Sequence, residues 1–299
     1  MSALRDKLEE SYARCIAVTK ARAGNFHFAF RLLPGSQYRG ICALYAFARR
    51  ADDLSDDHPG RECIRAHLAR WRAAFDAALA GDPSADLVLP AVADTVRRCR
   101  IPPVYLHEML AGAEMDASVL RYPAWEDCYR YCYRVASVVG LMTIHVFGFS
   151  SDRALPLAER TGIAFQLTNI LRDVKEDAGH GRIYLPLEDL RRFGVSEEQV
   201  LAGRDSPDFR NLVRFQVRRA REYYAAGEEL LPLVNAPCRP ALAALVAIYR
   251  RLLEEIERRD CDVLSRRVSL SRLAKLRLAG SFAGKLLRER SRTRPGVRI

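Results

Sequence analysis

Apolar side chains recur every three or four residues along almost the whole 299-residue chain. That spacing places them on one face of an α-helix, whereas the two-residue alternation of a half-buried strand is scarce. No Asn-Gly or Asp-Gly pair joins two strand-like segments, so no hairpin is expected. Turns rich in proline and glycine interrupt the helical pattern, for example at Pro34-Gly35, Pro102-Pro103 and Gly179-His180-Gly181. These features predict about ten helices joined by short loops.

The sequence contains no internal repeat, low-complexity tract or long linker. We therefore expect a single all-α domain over residues 1–299, with a basic tail at 289–299 that frays. Hydrophobic residues make up 49% of the chain and charged residues 28%, a composition typical of globular proteins. A chain of this size can form a sizeable core with room for an apolar cavity.

The formal net charge of +11 suits an anionic partner, either a nucleic acid, a membrane surface or a small anion. Nucleic acid is not expected, because no RNP-like motif, zinc-finger spacing or basic leucine zipper is present. Eight cysteines without a CxxC pair, and no signal-type apolar segment, predict reduced core thiols in a cytoplasmic protein. No apolar run is long enough to span a membrane. The segment 273–287 mixes basic residues with leucines, which leaves peripheral contact with the inner membrane surface open.

A first acidic cluster lies at the end of a helical pattern, in the sequence Arg49-Arg50-Ala51-Asp52-Asp53-Leu54-Ser55-Asp56-Asp57. Asp52 and Asp56 are four residues apart and therefore share one helix face, where their charges repel unless a cation joins them. Mg²⁺ prefers such carboxylate oxygens and usually keeps substrate phosphate oxygens among its ligands. The alternative is a solvated acidic helix end before the turn at His58-Pro59-Gly60.

A second polar stripe consists of Gln166, Asn169, Asp173 and Asp177, which recur on one face of a helix. The other faces carry apolar residues, so the stripe is expected to face inward. Buried amides and carboxylates need partners, and metal ions with diphosphate oxygens would supply them. The alternative is an amphipathic helix whose solvated face happens to be acidic. Two such helices across a cavity could hold a cluster of Mg²⁺ ions that helps a diphosphate leave as an anion.

Both acidic segments resemble the DxxxD motifs of the squalene and phytoene synthase family. Further similarity runs from about residue 25 to residue 268, through Asn25–Phe30, Tyr45–Arg49, Tyr131–Ala136 with Gly140, Arg182–Pro186 and Tyr249. The resemblance implies a single isoprenoid-synthase-type helical bundle around a central hydrophobic cavity. In one place the sequence departs from the pattern: many relatives carry a serine where this chain reads Arg22-Ala23-Gly24-Asn25.

The resemblance also implies roles for individual residues. Metal binding would fall to Asp52, Asp56, Asn169, Asp173 and Asp177. The four aspartates would also act in catalysis together with Tyr131. Substrate binding would involve Phe26, Phe30, Tyr45, Arg49, Asp53, Val135, Gly140, Gln166, Asn169, Arg172, Arg182, Tyr184 and Tyr249. The arginines would grip diphosphate oxygens and the aromatic rings would face a carbocation, although surface arginines and core tyrosines are the ordinary alternative.

The activity implied is head-to-head condensation of two prenyl diphosphates with a cluster of two or three Mg²⁺ ions. Residues 133–142 and 182–190 look closest to bacterial hopanoid-pathway members, which predicts presqualene diphosphate formation from two farnesyl diphosphates. Phytoene synthesis from geranylgeranyl diphosphate and complete squalene synthesis stay open. NADPH is not expected, since no dinucleotide fingerprint is present, although its use stays open as well. A terpene cyclase or chain-elongating prenyltransferase, and a non-catalytic helical scaffold at membranes, are the alternatives from other classes.

Overall fold

The computed structural model describes residues 2–23, 29–56, 60–82, 86–271, 273–274 and 277–278, without the side chains of 2–4 and 55–56. Within them the α-helices are α1 Ser2–Arg22, α2 Gly35–Asp56, α3 Arg61–Ala80, α4 Leu89–Arg98, α5 Pro103–Ser118, α6 Trp125–Cys132, α7 Val138–Phe147, α8 Ala154–Gly179, α9 Leu187–Arg192, α10 Glu197–Leu201, α11 Pro207–Leu230 and α12 Arg239–Arg258. A π-helical segment, Tyr133–Ser137, joins α6 to α7, and two 3₁₀ turns, Leu231–Leu233 and Ala236–Cys238, precede α12.

The described residues contain no β-strand, and the predicted all-α fold is confirmed. Two isolated backbone bridges link distant loops, Arg121 with Ile183 and Phe149 with Val234. Polar caps and glycines set several helix ends. The Ser206 hydroxyl accepts a hydrogen bond from Phe209 N at 3.1 Å at the start of α11, and Gly81 ends α3 with a φ of 99°.

One contiguous hydrophobic core runs through the described part of the chain, from Tyr12 to Val268. Helix α8 lies at its centre and packs against α11, α7, α12 and the π segment. This central position explains why α8 carries buried residues on most of its faces while its polar stripe still meets a cavity. The fold therefore brings Gln166 and Asn169 of the second predicted stripe to a cavity, while all four residues of the stripe are partly exposed.

Two glycines clamp the π segment between neighbouring helices. A Cβ atom on Gly162 of α8 would lie 2.5 Å from Ser137 Cα, and one on Gly112 of α5 would lie 3.1 Å from the carbonyl carbon of Arg134. Backbone approach this close is open only to glycine. Single π turns are frequently found at functional sites, and here the turn directs Val135 and Ala136 to the wall of a cavity.

The eight cysteines are all unpaired, as expected. Six are buried, whereas Cys63 is exposed and Cys99 is half-buried, so those two depart from the predicted core location. Phe26 and Asn25, the tail at 289–299 and most of the 273–287 segment lie outside the described residues. In the described part, no helix has the length and apolarity needed to cross a membrane.

Candidate active site

Two apolar cavities adjoin inside the helical bundle. The larger has a volume of about 140 Å³ and the smaller a volume of about 70 Å³. Phe30, Val139 and Thr143 line both, so these three side chains form a shared wall. Five other predicted substrate residues line the larger cavity, namely Val135, Gly140, Gln166, Asn169 and Tyr249. Tyr45 lines the smaller one.

Each acidic motif begins one helical turn beyond a residue that lines a cavity. Asp52 follows Ala48 of the smaller cavity by four residues on α2, and Asp173 follows Asn169 of the larger cavity by four residues on α8. Residues four apart lie on the same helix face. Each motif therefore lies on a helix face that also lines one of the apolar cavities. A diphosphate with a long apolar chain requires such an arrangement.

The first motif is partly exposed and engaged with arginine. The Asp52 side chain is 60% exposed. The Arg49 guanidinium donates from Nε at 2.8 Å and from Nη2 at 2.5 Å to Asp53 Oδ1, and Arg22 approaches the same oxygen at 3.8 Å. Asp56 ends α2, but its side chain lies outside the described residues. The structure thus places Arg49, Asp52 and Asp53 together at the C-terminal end of α2.

The second motif follows α8 from the cavity outward. Asn169 Nδ2 donates to Gln166 Oε1 at 3.1 Å, while the buried Asn169 Oδ1 has no hydrogen-bond partner among the residues that the structure describes. A buried carbonyl oxygen without a partner is costly. A hard cation would satisfy it, so the donor chemistry at this position fits the predicted Mg²⁺ ligand.

Asp173 is surrounded by guanidinium groups. Arg172 donates from Nε at 2.9 Å to Oδ1 and from Nη2 to Oδ2, and Arg267 Nε donates to Oδ1 at 2.7 Å. Arg267 also lies 3.1 Å from a carboxylate oxygen of Glu176. Arg267 was not predicted from the sequence, because it lies 94 positions from Asp173 in an irregular segment after α12.

Asp177 lies one turn further along α8, near other carboxylates. Burial and the negative charge of Asp173 raise its pKa to about 7, with Glu176 and Asp116 adding to the shift and Arg182 opposing it. Burial and neighbouring negative charges both disfavour the ionised carboxylate, and an added cation would offset them. This electrostatic setting also fits the predicted metal. Among the described residues, no three His, Cys, Asp or Glu side chains already converge on one metal position.

A cluster of stacked tyrosines lies beside this acidic end. The ring centroids of Tyr131 and Tyr184 are 4.9 Å apart, and both rings also contact Tyr122. Tyr131 is buried and is absent from the residues that line either apolar cavity, so its predicted catalytic position is not on those walls. Tyr184 instead borders a small pocket with Asp177 and Arg182.

Tyr249 has the position expected of a cavity tyrosine. Its ring stacks on Phe165 with a centroid separation of 4.3 Å and an interplanar angle of 10°, and both residues line the larger cavity. Burial raises the pKa of the Tyr249 hydroxyl, so this group keeps its proton near neutral pH. The pair therefore presents neutral, electron-rich aromatic surface to the chamber.

Comparison with known proteins places this site in a family. The sequence profile described as squalene/phytoene synthase matches residues 19–274. The chain is 36% identical over 271 residues to a phytoene synthase of Arthrospira platensis, covering 86% of this chain and 87% of that protein. It is 35% identical over 275 residues to phytoene synthase 1 of Arabidopsis thaliana, covering 90% of this chain and 65% of the plant protein.

Solved structures agree with the sequence relatives. A dehydrosqualene synthase in complex with ligand superposes with a TM-score of 0.85 at 30% identity, covering 95% of this chain and 99% of that one. Squalene synthase HpnC from Alicyclobacillus acidocaldarius superposes with a TM-score of 0.80 at 26% identity, covering 87% and 96%. Fold and site thus define an all-helical enzyme of the prenyltransferase type. The chain belongs to the squalene/phytoene synthase family.

Proposed function

We propose that the protein condenses two molecules of geranylgeranyl diphosphate head to head to phytoene, with Mg²⁺ as its metal. The observation that carries this proposal is the identity of 35–36% to the phytoene synthases of Arthrospira platensis and Synechococcus elongatus. In both comparisons the similarity covers most of this chain and most of the relative. The same comparison favours the longer substrate over the farnesyl diphosphate expected from the sequence. Formation of presqualene diphosphate, the activity expected from the sequence, becomes the second candidate function.

The diphosphate end of the proposed substrate would lie at the acidic ends of α2 and α8. The residues to hold Mg²⁺ there are Asp52, Asp56, Asn169, Asp173 and Asp177. Bound Mg²⁺ supplies positive charge that stabilises the diphosphate as it leaves. Arg49, Arg172 and Arg182 provide planar donor groups suited to phosphate oxygens.

The prenyl chains would occupy the two apolar cavities, whose walls exclude water from the reacting carbon. Cleavage of the C1–O bond leaves an allylic cation, which the C2=C3 double bond of the second substrate attacks. The stacked rings of Phe165 and Tyr249 offer their π-faces to this positive charge. Loss of a proton then closes a cyclopropane that still carries one diphosphate, and the base is either the released diphosphate or a tyrosine. Departure of that second diphosphate, rearrangement of the resulting cation and loss of a second proton would complete the hydrocarbon.

The test is incubation of the purified protein with geranylgeranyl diphosphate or farnesyl diphosphate and Mg²⁺, with and without NADPH, followed by mass analysis. A C40 hydrocarbon formed from the longer substrate without NADPH is the expected product. Asp173→Asn is expected to abolish it, whereas the exposed Asp152→Asn on the turn before α8 serves as the matched control. A correctly folded protein that forms no product from either substrate would refute the proposal.

A second candidate is the same condensation with two farnesyl diphosphates. It is supported by the dehydrosqualene synthase, which matches with a TM-score of 0.85 over 99% of its length. A C30 hydrocarbon or a cyclopropyl C30 diphosphate from the shorter substrate, with no C40 product, would select this candidate. A mixture would be resolved by comparing kcat/KM for the two substrates.

A further inference from the structure

We propose that Asp116 is a positioning residue that holds the Arg182 guanidinium, through the hydroxyl of Tyr184, at the acidic end of α8 for the substrate diphosphate. The inference rests on the proposed function, because it assigns Arg182 to a diphosphate. It adds a residue from the last turn of α5 that no sequence motif singled out.

Asp116 is the acceptor for two hydroxyls of the tyrosine cluster. Tyr184 Oη donates to Asp116 Oδ1 at 2.8 Å, and the hydroxyl of the buried Tyr131 also hydrogen-bonds Asp116. Burial and the Asp116 charge raise the pKa of both tyrosines, so both hydroxyls stay protonated and remain donors. Stacking of the two rings, at an interplanar angle of 26°, limits how far either hydroxyl can turn away.

Arg182 meets this cluster from the loop after α8. Its side chain and that of Tyr184 line the same small pocket as Asp177, which brings the guanidinium close to the Tyr184 hydroxyl and to the negative charge of Asp116. The backbone fixes the loop at two points, since Arg182 N donates to Asp177 O at 2.9 Å and Ile183 N donates to Leu120 O at 3.0 Å. Tyr184 therefore borders the Arg182 pocket on one side and donates to Asp116 on the other.

The carboxylate of Asp116 matters because it fixes the direction in which these hydrogen bonds are donated. An acceptor-only group forces the Tyr184 proton towards Asp116, which turns a lone pair of the hydroxyl oxygen towards the guanidinium. Charge-assisted hydrogen bonds are stronger than neutral ones, and linked hydrogen bonds polarise one another. Negative charge on Asp116 costs energy beside Asp177, and the nearby Arg182 offsets that cost. An asparagine at position 116 could present its NH₂ group to the Tyr184 oxygen, and the hydroxyl proton would then point towards the guanidinium.

The experiment measures binding of inorganic diphosphate in the presence of Mg²⁺ by calorimetry, together with kcat and KM for the prenyl substrate. Asp116→Asn is expected to weaken diphosphate binding at least about tenfold, the effect of losing a hydrogen bond to a charged group. Glu114→Gln is the matched control, because Glu114 lies on the same helix and pairs with Arg65 at the surface. It should leave binding unchanged.

A double-mutant cycle separates positioning from a merely structural role. If Asp116 acts through Tyr184, Tyr184→Phe weakens binding as well, and the double variant is no worse than the more affected single variant. Additive effects, or a fall in melting temperature with unchanged diphosphate affinity, would overturn the inference. Should Asp116→Asn fail to fold, Tyr184→Phe and Arg182→Lys test the same chain of contacts. Wild-type protein that binds diphosphate but makes no hydrocarbon would instead count against the proposed function.

Discussion

Replacing Gly162 with alanine tests whether the π segment is held by backbone contact. The added Cβ would lie 2.5 Å from Ser137 Cα, 2.8 Å from Ser137 N and 2.9 Å from Ala136 C. All three are backbone atoms, so no flexible side chain can move aside. Overpacking of this kind costs roughly 3 kcal/mol, and the better helix propensity of alanine returns about 1 kcal/mol. We expect a net loss of about 2 kcal/mol in the free energy of unfolding.

Gly179→Ala provides a matched control on the same helix, since nothing lies within 4 Å of a Cβ at that position. It should be neutral or stabilising by up to about 1 kcal/mol. Urea unfolding of both variants gives the free energies, and turnover reports on the cavity wall at Ala136. Equal stability of the two variants would refute the clamp. Full activity of Gly162→Ala would show that the wall tolerates the shift.

Three further predictions concern the cavity wall, the ion pairs of Glu255 with two arginines, and the acidic end of α8. Phe30→Ala joins the two cavities and should raise kcat/KM for geranylgeranyl diphosphate relative to that for farnesyl diphosphate. It should also lower the free energy of unfolding by about 3 kcal/mol. An unchanged ratio of the two kcat/KM values would contradict the prediction. The guanidinium of Arg258, with that of Arg259, lowers the pKa of Glu255 to about 2. The contribution of ionised Glu255 to the free energy of unfolding is therefore complete above the unfolded pKa of 4.5, and it disappears as the pH falls towards 2. The stability gap between wild type and Glu255→Gln, about 1 kcal/mol at pH 7, should therefore narrow between pH 5 and pH 2 in denaturant titrations. Arg267→Gln removes a cation from Asp173 and should tighten Mg²⁺ binding up to about fivefold in calorimetry, whereas the neighbouring exposed Arg266→Gln should not.

Helical periodicity was sufficient to predict the all-α fold and the location of both acidic stripes. Gln166, Asn169, Asp173 and Asp177 share one face of α8 because their spacing follows the helical repeat, which is a local property of the sequence. Substrate binding was predicted for Val135, Gly140 and Tyr249 by resemblance to the family, and all three line the larger cavity. The proposed roles of these residues are still predictions.

Contacts between distant segments were beyond such reasoning. Asp116 and Tyr184 are 68 positions apart, and Arg267 reaches Asp173 across 94 positions. No periodicity connects such pairs, since their meeting depends on how α5, α8 and the segment after α12 pack. The π turn at Tyr133–Ser137 was equally hidden, because one extra residue in a helical turn hardly alters an apolar pattern.

The shared wall of Phe30, Val139 and Thr143 divides the interior unequally, with amide groups of Gln166 and Asn169 beside one chamber and Tyr45 beside the other. An enzyme that joins two copies of one substrate must make identical molecules behave differently, one losing its diphosphate while the other supplies a double bond. A symmetric interior would give each copy the same tendency to ionise. In the proposed reaction the unequal chambers would break that equivalence before any bond changes, so the roles of donor and acceptor would follow from where each substrate molecule binds.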